Sequence, residues 1–210
     1  MHPGVSVFVI GLTGGIGTGK TEVTHVLREL GAVVIESDKV AHLSYRPGTD
    51  AYEDIIDQFG REILDESGVI DRAKLGGLVF AVPELRIHLE MIVWPAARSW
   101  IEERLIQEKE RGTKIIVIEV PKLFEAGWDD LADAVWTIEA PSDLITERIK
   151  IRSNLGETEK NARVKAQITS GERAERADLL IENTAKLADL REQITNLWRT
   201  NPEIQNAINN

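Results

Sequence analysis

The sequence predicts an α/β protein: a parallel five-stranded sheet flanked by helices and elaborated by helical insertions. Three observations predict it. Short β-branched runs alternate with longer stretches of helical periodicity, the pattern of strand–helix–strand units joined by right-handed crossovers. The runs carry little polar content, as parallel strands covered on both faces require. The first run opens into a glycine cluster at 11–19, and a helical pattern follows at once.

Composition narrows the class. The chain has 210 residues, 42% of them hydrophobic and 29% charged, with a formal net charge of −10. That balance belongs to a globular chain forming one sizeable domain, not to a disordered one. The acidic excess argues against a generic nucleic-acid or anionic-membrane binder, whose affinity rests on a broad Lys/Arg surface. An anionic ligand must therefore be held by local geometry. The absence of cysteine excludes disulfides, thiolate metal sites and cysteine nucleophiles, and it suits a reducing compartment. No stretch approaches the roughly 20 apolar residues of a membrane span. The apolar run at 5–10 has no cationic segment before it and no small-residue cleavage site, so it reads as a buried strand. A cytoplasmic protein without membrane contact is expected.

Taken in order, residues 5–10 form the first strand, ending at the glycine cluster. Residues 20–30 place Val23, Val26, Leu27 and Leu30 at helical spacing, and Gly31 follows where a left-handed residue closes a helix. Strands are expected at 32–35, 115–118, 134–138 and 178–181, and a last helix at 186–199. The residues between the second and third strands look mainly helical, at 51–59, 72–80, 83–93 and 95–111, with Pro83 and Pro95 each suited to a first helical turn. A polar helical stretch at 143–175 separates the fourth and fifth strands, and its many opposite charges suit a solvated face. The polar tail 201–210 is expected to fray. Ligands of such a sheet bind beyond the carboxyl ends of its strands, and both insertions leave from that edge.

Gly14-Gly15-Ile16-Gly17-Thr18-Gly19-Lys20-Thr21 matches the G-x-x-x-x-G-K-[ST] pattern without a gap, after a strand and before a helix. Glycines let successive N–H groups converge on an anion, and the helix N-terminus adds its partial positive charge. Lys20 would reach the β- and γ-phosphates, and the Thr21 hydroxyl would ligate Mg²⁺. The dinucleotide pattern has no Lys-Thr after its last glycine, so ATP or GTP is the ligand these residues suit. A purely structural glycine-rich turn is the bland alternative.

Ile35-Glu36-Ser37-Asp38 ends the second strand. In extended backbone, residues two apart point to the same side, so Glu36 and Asp38 would project together. One could serve the water shell of the metal while the other accepts the proton of an attacking hydroxyl. The alternative is that Ser37 or Asp38 only caps a helix starting near Lys39. The Arg148 and Arg152 side chains, four apart, share one helical face and could neutralise charge on a transferring phosphoryl group.

Together these residues resemble the dephospho-coenzyme A kinase family. The resemblance rests on Gly11-Leu-Thr-Gly-Gly-Ile-Gly-Thr-Gly-Lys-Thr21, Val34-Ile-Glu-Ser-Asp38, Arg46-Pro-Gly-Thr49 and Glu119-Val-Pro-Lys-Leu-Phe-Glu-Ala-Gly127. Glu147-Arg148 with Arg152, Arg163-x-x-x-Gln167, Arg176-Ala-Asp178 and Ile181-Glu-Asn183 extend it, so it covers nearly the whole chain. It implies a P-loop, nucleoside-kinase-like core at about 1–45, 113–147 and 177–200, a helical CoA-binding insertion at about 46–112 and a lid at about 148–176. It implies ATP with Mg²⁺ as co-substrate, the ribose 3′-hydroxyl of dephospho-CoA as acceptor, and a monomer or weak homo-oligomer. By position, Asp38 matches the aspartate that meets the acceptor hydroxyl. Arg148 and Arg152 match lid arginines near the phosphates, and Glu36, His42, Trp94 and Pro121 fall on the acceptor side.

The chain departs from the family pattern at several positions. His42 stands where Arg is usual, Trp94 where His commonly precedes Pro95, Lys122 in place of an apolar residue, Glu119 for Asp, and Glu22 for a hydroxyl residue. Trp94 could stack on an adenine or fill core. These departures motivate a second reading, a P-loop kinase with another small-molecule hydroxyl acceptor. A nucleotide-binding module without turnover is a third, and it would keep the loop while losing the groups that organise transfer. No spacing of His2, His25, His42 and His88 suggests a metal site.

Overall fold

The computed structural model describes residues 7–152, 167–184 and 186–210, the side chains of 149–152 excepted. Arg152 as a side chain, Arg163, the start of the expected first strand and the middle of the expected lid lie outside the described residues.

Two compact units divide the chain: 1–36 with 104–210, and 37–103. The first contains a five-stranded sheet built from β1 (Phe8–Gly14), β2 (Val33–Glu36), β3 (Ile115–Glu119), β4 (Ala134–Glu139) and β5 (Leu179–Glu182). All pairings are parallel, in the order β2-β3-β1-β4-β5. The chain leaves β1 toward β2 on one side and leaves β4 toward β5 on the other. The crevice where ligands bind in such sheets therefore opens at the carboxyl ends of the neighbours β1 and β4.

Alternation along the strands decides what each face buries. Phe8, Ile10 and Leu12 of β1 share a face with Ile115 and Val117 of β3 and with Trp136 and Ile138 of β4. Against this face pack α1 (Lys20–Glu29), through Val23, Val26 and Leu27, and α8 (Leu187–Thr200), through Leu190, Ile194 and Trp198. At the opposite ends of the strands two carboxylates satisfy main-chain donors. The Asp133 side chain accepts from Val9 N at 2.8 Å and that of Asp178 from Val135 N at 2.7 Å.

Three local expectations are overturned. β1 does not stop at the first glycine but runs through Gly14, because Gly11 to Gly14 pair with β4. Residues 201–210 do not fray: α9 (Pro202–Asn209) forms there, with the Asn201 side chain accepting from Glu203 N and Ile204 N, both at 3.0 Å. Ile204 and Ala207, three apart, are buried in the core, and that pair outweighs the polar composition of the segment. Pro95 does not open a new helix. It lies inside α5 (Pro83–Glu110), exposed to solvent. An internal proline removes one backbone hydrogen bond. Here the helix continues because Val93, Ala97 and Ile101, spaced by four across the proline, are 7%, 1% and 0% exposed.

The second unit holds α2 (Ser37–Ser44), α3 (Asp50–Phe59), α4 (Arg72–Ala81) and the first part of α5. Its core is Tyr52, Ile55, Ile56, Ile63, Ile70, Leu75, Val79 and Val93. Thr49 caps α3 and Asp71 caps α4, as residues with a short oxygen-bearing side chain do. Among the described residues, α6 (Ser142–Arg152) and α7 (Ser170–Arg176) precede β5 in the chain, and α8 follows it.

Candidate active site

The glycine-rich segment closes β1 and opens α1, as the pattern requires. Gly14, Gly17 and Gly19 take φ values of 147°, 79° and 113°, a region that costs any side chain but glycine's. Gly14 has a second reason: a Cβ there would lie 2.4 Å from the Ile138 carbonyl of β4. No side chain caps α1, and a helix start without a side-chain cap suits an anion. Lys20 Nζ donates to the carbonyls of Gly14 at 2.8 Å and Gly15 at 3.0 Å. The ammonium thus arches over the first half of the loop. Thr18 is fully buried, and its hydroxyl donates back to Gly15 O at 2.9 Å. Ile16 and Gly17 are half-buried and Thr21 is exposed.

A ring of side chains supports this loop from the ends of β4 and β5. Asn183, 5% exposed, donates to Thr18 O at 2.7 Å, and its own N–H donates to Glu139 O at 2.8 Å. Arg148 of α6 stands over the same turn, with Nη1 at 3.4 Å from Gly17 O and 3.5 Å from Thr18 O, and Nη2 at 3.4 Å from Asn183 Oδ1. These contacts are long and weak, near the outer limit for a hydrogen bond. Arg173 of α7 forms a buried ion pair with Glu139, at 2.6 Å from Nε. Beside Asn183 a cavity of about 320 Å³ is lined by Glu182, Thr184, Asp189, Leu190 and Gln193.

At the other side of the loop, register pairs Glu36 of β2 with Glu119 of β3, and Arg28 of α1 forms an ion pair with Glu36. Pro121 is half-buried, and its carbonyl accepts from Gln167 Nε2 at 2.9 Å. Glu125 accepts from Ile168 N at 2.8 Å.

Asp38 differs from the extended-strand expectation. β2 ends at Glu36, and Ser37 opens α2, so Asp38 lies in a first helical turn instead of on the strand. Strand alternation therefore does not align Glu36 with Asp38, and the helix starts two residues earlier than expected. Asp38 is exposed, one turn before His42 on the same helix. His42 Nδ1 is hydrogen-bonded to the Tyr45 hydroxyl, with the two rings edge-on at 5.6 Å. Burial lowers the pKa of His42, the Arg72 charge lowers it further, and Asp38 opposes both. Burial raises that of Tyr45, against Arg72. Trp94, in α5, is half-buried and is not among the apolar residues of the second unit's core.

Sequence reasoning gave no role to Glu139, Arg173 or Asn183. Glu139 and Arg173 are two charges in charge-rich surroundings, and only the fold reveals that they bury each other. Among the described residues no cluster of three or more His, Asp or Glu side chains could hold a metal ion. No helix there is long and apolar enough to cross a membrane.

Residues 8–189 match the dephospho-CoA kinase family. A dephospho-CoA kinase of Symbiobacterium thermophilum is 40% identical over 191 residues, covering 91% of this chain and 80% of that protein. Among solved structures, a Thermus thermophilus protein superposes with a TM-score of 0.76 at 32% identity, covering 92% of this chain and 97% of that one. A dephospho-CoA kinase from Campylobacter jejuni gives 0.67 at 30% identity, over 91% and 95%. The matched span 8–189 takes in the glycine-built loop, its lysine and all five strands of the sheet. The chain belongs to the dephospho-CoA kinase family, which uses ATP to carry out the last step of coenzyme A biosynthesis.

Proposed function

We propose that the chain transfers the γ-phosphoryl group of ATP to the ribose 3′-hydroxyl of dephospho-CoA, with the roles divided as follows. The amides of residues 14–19 and the Lys20 ammonium bind the β- and γ-phosphates. The phosphates replace the Gly14 and Gly15 carbonyls as acceptors for Nζ. Phosphoryl transfer needs positioning and charge stabilisation more than covalent help, and a cation already arched over the loop supplies both. Arg148 adds charge at the Gly17–Thr18 turn. It can re-aim cheaply because its present contacts are long. The cavity beside Asn183 suits the purine base.

Asp38 takes the role of base for the acceptor hydroxyl, its carboxylate being exposed on the first turn of α2. His42 and Trp94, in the same unit, are proposed to contact the acceptor, with Pro121 lining its path. With burial and Arg72 holding its pKa down, His42 contributes a neutral ring at pH 7 in place of a cation. Mg²⁺ fits the hard oxygen donors present: the exposed Thr21 hydroxyl directly, and Glu36, in register with Glu119, through water. It would supply charge neutralisation on the bridging phosphate oxygens. The absence of cysteine supports action in the reducing cytoplasm, as a monomer or weak homo-oligomer, with no nucleic-acid partner at a net charge of −10.

The observation that carries this reading is Lys20 Nζ held 2.8 Å from Gly14 O, within a loop in which three glycines take positive φ. ADP release in the presence of dephospho-CoA, adenosine and nucleoside monophosphates tests it. Turnover with dephospho-CoA far above the others is expected. Equal or greater turnover with another acceptor would replace the substrate assignment.

A further inference from the structure

Arg173 is 5% exposed and is fixed on three sides. Nε donates to Glu139 Oε1 at 2.6 Å, Nη2 to Glu139 Oε2 at 3.2 Å, and Nη1 to the Ile168 carbonyl at 2.6 Å. The paired fork geometry leaves the guanidinium plane no freedom to turn. The same Nη2 would lie 3.1 Å from a Cβ at Gly15, and Cζ 3.9 Å from it.

Gly15 differs in one respect from the other loop glycines of the motif. Its φ is not positive, so its own backbone conformation does not exclude a side chain. What crowds one is the guanidinium, which at 3.1 Å is closer than an ordinary carbon contact, so a side chain at Gly15 requires Arg173 to give way by a few tenths of an ångström. From the other direction the Thr18 hydroxyl donates to Gly15 O at 2.9 Å, and Lys20 Nζ reaches the same carbonyl at 3.0 Å. The Gly15 peptide is thus held between a pinned cation and two donors. Glu139, the other half of the clamp, ends β4 at the crevice and also accepts from Asn183 N.

We propose that Arg173 is a positioning residue for the phosphate loop: clamped on Glu139, it sets the orientation of the Gly15 peptide and of the amides that follow. The proposal rests on the reading of that loop as the ATP site. Its effect falls on ATP affinity and on alignment of the γ-phosphoryl group, and it leaves acceptor affinity unchanged. Removing either charge would strand its buried partner, so informative substitutions keep the charge and change the shape. Arg173→Lys retains the cation and loses the fork. Gly15→Ala adds a methyl group 3.1 Å from Nη2, pressing on the guanidinium.

The test compares wild type, Arg173→Lys, Gly15→Ala and the double variant. It reads ATP affinity by calorimetry, kcat, both KM values and the melting temperature. Each single variant is expected to weaken ATP binding about tenfold and lower kcat, with the KM for dephospho-CoA within about twofold of wild type. The double variant is expected to be no worse than Gly15→Ala alone, because lysine vacates the space the methyl needs and contacting residues are not additive. A merely structural role would lower the melting temperature and the folded fraction without splitting the two KM values. Wild-type ATP affinity and kcat in Arg173→Lys, or losses that multiply in the double variant, would overturn the proposal. If Arg173→Lys does not fold, Glu139→Asp, which keeps the carboxylate charge and shortens its reach to the fork, is expected to weaken ATP binding likewise; wild-type affinity there would overturn it. Non-additive ATP affinities together with no transfer to dephospho-CoA would uphold the clamp and reject the acceptor. No ATP binding by wild type would reject both.

Discussion

The side-chain amide of Asn183 donates to the main-chain carbonyl of Thr18 across 2.7 Å, tying the end of the last strand to the middle of the phosphate loop. The same Nδ2 atom lies 2.5 Å from where a Cβ of Gly19 would stand. Gly19 is therefore required twice over, by its φ of 113° and by this amide. The bond is buried, and Asn183 also presents its oxygen to Arg148. One residue thus links the loop, the sheet and α6.

Asn183→Ala removes the donor and leaves the Thr18 carbonyl buried without that partner. A loss of about 1–3 kcal/mol in unfolding free energy is expected, measured by urea titration. The KM for ATP should rise as the Gly17–Gly19 turn loosens, while the KM for dephospho-CoA stays near its wild-type value.

Asp38→Asn keeps the size of the side chain and removes its capacity to take a proton. A fall in kcat of about a hundredfold or more is expected, the range general base catalysis contributes, with ATP affinity nearly unchanged. Steady-state kinetics at saturating ATP checks this; near-wild-type turnover would remove Asp38 from the reaction.

His42 makes stability depend on pH with a definite sign. Its folded pKa lies below the ordinary 6.5 because of burial and Arg72, against Asp38. Above that ordinary value both states are neutral at this ring, and its contribution is fully present. As pH falls through it, the unfolded chain takes up a proton that the folded ring resists, so stability declines. The melting temperature of wild type should fall more steeply between pH about 7.5 and about 5.5 than that of His42→Gln. Equal slopes would contradict the assignment.

Much of the sheet and the phosphate loop was legible because both are local. Gly14 to Thr21 is one unbroken pattern, and the strands are β-branched runs whose bounds moved by a few residues at most. Three features were not. The helix through Pro95 depends on Val93, Ala97 and Ile101 burying together, a tertiary term that overrides the local breaker. The helix at Ser37 replaced an extended segment, which changed the argument for Asp38 but not its position just past β2. Glu139 and Arg173 meet across 34 residues, and nothing in a sequence rich in both charges marks that pair.

The terminal helix offers a test free of catalysis. Asn201→Ala deletes the oxygen that accepts from Glu203 N and Ile204 N and should cost about 1 kcal/mol, with kcat and both KM values unchanged. A loss of activity at equal folded fraction would give α9 a role that its position at the core does not supply.

Phosphorus NMR of the product made from ATP and dephospho-CoA reads the central claim most directly. A new phosphomonoester resonance coupled to the ribose 3′ proton is predicted, appearing with ADP and absent with Lys20→Ala. A phosphate at any other position, or ADP formed with no phosphorylated acceptor, would contradict it.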